Sequence, residues 1–140
     1  MNNTIERTLE LSAAPAKVWQ AITDADQLAA WFPNQGCDFK AEAGYIGWFQ
    51  WQLEECSGRY AMRVERVDAP RYIAWRWARE ADTPIDQAYS TLVEWTLEPL
   101  TNGGTRLHLL ESGFQKEEDR QQNIGGWQHE LGELEALLNG

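Results

Sequence analysis

The chain has 140 residues and a formal net charge of −10, from 12 basic and 22 acidic side chains. This length makes one domain, residues 1–140, with room for a single real core. The charge repels phosphate backbones and anionic lipid surfaces, which argues against nucleic acid and membranes as main partners.

The eight tryptophans are more than a core of this size needs. Large, stiff, amphipathic rings suit a core and suit a pocket lining equally. Cys37 and Cys56 stand nineteen positions apart, with no metal-type pairing and no Cys-x-x-Cys, so they read as reduced thiols of a cytoplasmic protein. Met1 to Thr4 has neither a basic start nor an apolar signal core. The longest apolar run, Leu28 to Phe32, is too short for membrane insertion.

In chain order, Thr4 to Leu11 alternates as a half-buried strand, with Ile5, Leu9 and Leu11 on one parity and Arg7 among them. Ser12 to Phe32 changes to a helical period. Pro15 suits a first turn, Ser12 is a possible cap, and Val18, Trp19 and Ile22 share a face. Thr23-Asp24 breaks that run, and Ala25 to Trp31 reads as a second short helix, ended by the turn residues Phe32 to Gly36.

From Cys37 the reading is β. Gly44 and Gly47 bracket a turn or bulge, and Glu54 to Gly58 and Asp68 to Pro70 are turns. Glu80 to Asp86 is a polar loop. Asn102-Gly103 marks a hairpin between Tyr89–Glu98 and Thr105–Glu111.

The last run, Gln121 to Asn139, places Ile124, Trp127, Leu131, Leu134 and Leu138 on one helical stripe. Burying five such side chains contributes roughly 8 to 15 kcal/mol before entropy is subtracted. Glu130, Glu133 and Glu135 fall off the stripe and are expected to face water. Glu117, Glu118 and Asp119 suit the dipole of the first turn. Gly125-Gly126 either admits close approach of another backbone or marks a later start capped by Asn123. The order is one strand, two helices, about six strands and one long helix, an α+β domain with an antiparallel sheet against which the helix must bury its stripe.

Four segments resemble the helix-grip (START and birch-pollen-allergen-type) superfamily, and within it the family homologous to the activator of the heat-shock-protein-90 ATPase. They are Ala14 to Asp24 with Leu28 and Trp31-Phe32; Pro70 to Trp77; Gly104 to Leu109 running on to Phe114; and Gly126-Trp127 with Leu131, Leu134 and Leu138. The resemblance implies a curved antiparallel sheet of six to seven strands gripping the C-terminal helix, with an apolar cavity between them. It implies no catalytic set.

Inward strand parities supply the candidate cavity lining. Phe49 and Trp51 lie on one strand, Tyr60, Met62 and Val64 on the next, Ile73, Trp75 and Trp77 on a third, and Val93 and Trp95 on a fourth. The last helix adds Trp127, Leu131 and Leu134. Taken singly, each is most simply packing; taken together, so many rings suggest a lined space. Arg7, Arg79 and Glu111 are charges on apolar parities. Each either reaches water by its stem or sits at the cavity mouth to orient a polar ligand head, and Arg7 and Glu111 are possible partners. His108 and His129 lack any partner at a triad or metal spacing and read as exposed and inert. The Glu54-Glu55 pair reads as solvated turn acids. No cofactor or metal motif is present.

The leading expectation is a soluble, non-enzymatic binding domain for a small hydrophobic or aromatic ligand. A chaperone-linked, stress-response interaction module is the alternative and requires an exposed apolar patch. A cyclase- or hydrolase-type enzyme comes third and requires a cavity carboxylate with a raised pKa.

Overall fold

The computed structural model describes residues 3–53 and 57–139. The Glu54-Glu55 pair and Cys56 lie outside the described residues. Strand β1 (Thr4–Leu11) is followed by helices α1 (Pro15–Thr23) and α2 (Ala25–Trp31). Six further strands follow: β2 (Cys37–Asp38), β3 (Ile46–Gln52), β4 (Ser57–Asp68), β5 (Tyr72–Ala78), β6 (Ser90–Pro99) and β7 (Thr105–Ser112). Helix α3 (Glu117–Asn139) closes the chain. All strands join one antiparallel sheet in the order β1-β7-β6-β5-β4-β3-β2, and the architecture is α+β of the helix-grip type.

Short connections between consecutive strands produce this order; only β1 departs from sequence, lying beside β7. The period-two pattern appears directly in burial. In β6, Thr91, Val93, Trp95 and Leu97 are buried, and in β7, Thr105, Leu107, Leu109 and Glu111 are buried. The other face carries charge ladders, with Arg106 bound to Glu10 and Glu98, and Glu65 bound to Arg63 and Arg76. His108 lies on that outer face, its Nε2 2.8 Å from Glu6.

Some local expectations are corrected. Ser12 does not cap α1, whose N-cap is Ala14 without a side-chain bond; the Ser12 hydroxyl instead donates to Asn139 at 2.8 Å. Asp24 caps α2, accepting from the Gln27 amide at 3.1 Å. Gly47 lies inside β3, where β2 crosses so closely that a Cβ would stand 1.9 Å from the Asp38 carbonyl oxygen. Helix α3 begins at Glu117 and runs unbroken through Gly125-Gly126.

Two contacts orient α3. Arg120 donates to the Thr4 carbonyl at 3.3 Å, and Asn139 meets Ser12, so the helix runs beside β1 in the same direction. Its stripe of Trp127, Leu131, Leu134 and Leu138 is buried against the sheet and the short helices.

Candidate functional site

Phe32 ends α2 and is only 4 % exposed. Its ring stacks on Trp127 (centroids 5.3 Å apart, planes at 9°) and on Trp77 (5.4 Å, 26°), and meets Phe49 and Trp51 edge-on at 5.1 and 5.2 Å. It therefore fills the space under the middle of α3. Beyond it, Phe39, Phe49, Trp75 and Trp95 pack ring against ring. Trp75 and Trp95 give up a protein acceptor for their indole N–H groups to do so. The interior is a packed aromatic core, and the open space is displaced to one end.

That space is a cleft of about 500 Å³ between the N-terminal half of α3 and the ends of β3, β4 and β5. Phe32, Trp51, Tyr60, Trp77 and Trp127 supply its aromatic walls. Arg79, Gln122, Asn123, His129 and Glu130 supply its polar groups, and Gly125 and Gly126 supply bare helix backbone. A Cβ at either glycine would meet nothing within 4 Å. The pair neither admits a neighbouring backbone nor delays the helix; it leaves the cleft unfilled.

The sequence-predicted residues divide accordingly. Trp51, Tyr60, Trp77, Arg79 and Trp127 line the cleft. Phe49, Met62, Ile73, Trp75 and Trp95 are fully buried in the packed core and do not. Leu131 borders a separate depression of about 260 Å³ beside Arg7 and Leu9.

Glu111 is also placed differently from expectation. It is fully buried behind the cleft wall, away from its mouth. Its carboxyl accepts from Trp77 Nε1 at 2.7 Å, Trp127 Nε1 at 2.7 Å, Thr91 Oγ1 at 2.5 Å, and Asn123 Nδ2 at 3.0 and 3.1 Å. Arg7 is not its partner. Ile5 stands opposite Glu111 in the β1–β7 register, and exposed Arg7 bonds the Glu6 carbonyl. A carboxyl without a cation can be buried where neutral donors surround both oxygens. Here those donors include two wall indoles, which Glu111 thereby fixes in angle.

Arg79 completes the network. Its Nη1 donates to Asn123 Oδ1 at 2.6 Å and its Nη2 to Gln122 Oε1 at 3.0 Å, with Asp119 at 3.7 Å. Asn123 thus links the Arg79 guanidinium at the cleft to the buried Glu111.

Glu130 is half-buried in the cleft instead of facing water, and His129, exposed as expected, borders the same cleft. Burial, with a smaller contribution from Glu133, pushes the Glu130 carboxyl up to about 8. Burial likewise lifts the half-buried Cys37 thiol to about 11, helped by Asp38, Asp26 and Asp24. Among the described residues no group of three His, Cys, Asp or Glu side chains is arranged to hold a metal.

The sequence matches the family model for activator of Hsp90 ATPase homolog 1-like proteins over residues 12–139. The chain belongs to that family. The activator-homolog-like fold recurs in a Chromobacterium violaceum protein that is 25% identical with a TM-score of 0.80, the match covering 100% of this chain and 99% of that one. A Mesorhizobium loti protein is 25% identical with a TM-score of 0.78 over 97% and 96% of the two chains. The Aha1 dimer of Colwellia psychrerythraea is 21% identical, with a TM-score of 0.77 over 96% and 95%. Comparison with curated proteins gives no match.

Within this family member, sequence reasoning missed Phe32, Leu53, Ala78, Gln122, Asn123, Gly125, Gly126, His129 and Glu130 as lining residues. Most sit one position or one turn from the apolar stripe of α3. The paired glycines were the available signal, since two helix-weakening residues together need a local reason.

Proposed function

We propose that this protein binds a small, flat, largely apolar molecule in the cleft beneath the first half of α3. The observation that carries this reading is the cleft itself: about 500 Å³, walled by aromatic rings and edged by a few polar groups. That is the size and make-up of small-molecule sites in general. Glu111 supports it further, because indoles held at fixed angles lose little freedom when a ring lies against them.

The interaction-module reading draws support from the family name but less from the surface. Among the described residues the exposed large apolar side chains are Ile46, Leu53 and Leu137, placed at the two ends of β3 and near the end of α3, so these form no continuous patch. The enzyme reading is met in one respect, since Glu130 is a cleft carboxyl with a raised pKa. Among the described lining residues, however, there is no serine, threonine, cysteine or second carboxyl to work with it.

Tryptophan fluorescence tests the proposal. Naphthalene-sized compounds titrated into the protein are expected to perturb emission saturably, and Trp77→Ala to weaken binding by about tenfold or more. A flat response across a panel of such compounds would remove the ligand-binding reading.

A further inference from the structure

One cleft carboxyl is left unused by the network around Glu111. Glu130 lies one turn beyond Gly126 on α3 and lines the same cleft. Its side chain makes no hydrogen bond or ion pair with any described residue. The other charged or titratable groups at the cleft are Arg79, His129 and Tyr60, and Glu133 adds negative charge from the same helix. Arg79 turns Nη1 and Nη2 to Asn123, Gln122 and Asp119, its buried Nε has no partner, and it makes no ion pair with Glu130.

A half-buried carboxyl with no cationic partner resists ionising, and its raised pKa reflects this. A ligand that brings a positive charge supplies the missing partner. Aromatic rings, Trp51 and Trp77 among them, line the same cleft and favour a cation over an anion, and the net charge of −10 draws cations toward the molecule. An anionic ligand meets the reverse of each of these, and Arg79, whose charge is shared with Asp119, is the one fixed cation among the described lining residues to offset them.

We propose that the cleft selects flat aromatic molecules bearing a protonated basic nitrogen, with the ring against the wall indoles and the nitrogen at Glu130. This rests on the ligand-binding reading above and specifies its ligand class. Binding then forces the Glu130 proton off below about pH 8, so affinity rises with pH through that range and a proton is released on binding.

Three probes of one shape test it: 1-naphthylmethylammonium, uncharged 1-naphthalenemethanol and anionic 1-naphthoate, titrated by fluorescence and calorimetry. Near about pH 8.5 the ammonium is expected to bind about tenfold or more tightly than the alcohol, the gap narrowing toward about pH 6.5. In Glu130→Gln the gap closes and proton release disappears. Alcohol and ammonium binding equally to the native protein, or naphthoate binding best, would overturn this inference and leave the cleft reading standing. Failure of all three to bind would overturn both. The pH series on the native protein probes the same charge pairing without relying on a variant.

Discussion

At the scale of single residues, the most consequential side chain is Glu111. It satisfies the indole N–H groups of Trp77 and Trp127, the Thr91 hydroxyl and the Asn123 amide. Glu111→Ala strands the buried Trp127 indole N–H and the Thr91 hydroxyl and leaves Trp77 with only its bond to Thr91 Oγ1, and a loss of about 3–5 kcal/mol is expected from urea unfolding. Glu111→Gln keeps the volume but turns an amide donor toward other donors, and about 2 kcal/mol is expected. A midpoint unchanged in both variants would contradict the network. Strand parity was enough to single out Glu111 as a charge on the apolar face. Its partners were not legible, because they come from two other strands and a helix brought together only by folding. The proposed Arg7 partnership failed for a related reason: β1 is an edge strand, and a long side chain there reaches water.

At the scale of an element, α3 shows a conflict between stability and an open site. Its periodicity is sufficient to place Trp127, Leu131, Leu134 and Leu138 on the buried face. The same periodicity sends Glu130 to solvent, since a hydrophobic stripe cannot report a wall that rises beside the helix. Gly125 and Gly126 face that space, and added methyl groups would meet no atom within 4 Å. Gly125→Ala and Gly126→Ala are each expected to stabilise the fold by about 1 kcal/mol through helix propensity. Both are also expected to weaken binding of naphthalene-sized ligands, since each methyl occupies cleft volume. Thermal unfolding and fluorescence titration of the same variants measure the two effects; a gain in stability with unchanged affinity would show that the glycines do not shape the site.

At the scale of the whole molecule, one ring at the end of a short helix decides where the open space lies. Phe32 packs against Trp77 and Trp127, which also touch each other, and this three-ring cluster shuts the cleft off from the core. Phe32→Ala is expected to cost about 3–5 kcal/mol. It is also expected to let the cleft accept longer ring systems, such as anthracene derivatives, that the native protein excludes. Denaturant unfolding reads the first effect and the ligand size limit reads the second. An unchanged size limit in a folded variant would mean that the neighbouring rings, not Phe32, close the interior.

The sequence alone determined the α+β plan, the inward face of each strand and the buried stripe of the last helix. These follow from periods of two and 3.6 that the chain carries locally. Only the tertiary structure decided which inward rings pack and which line a space. That depends on where the end of α2 and the first half of α3 meet the sheet, and no local period encodes the distance between two elements far apart in the chain.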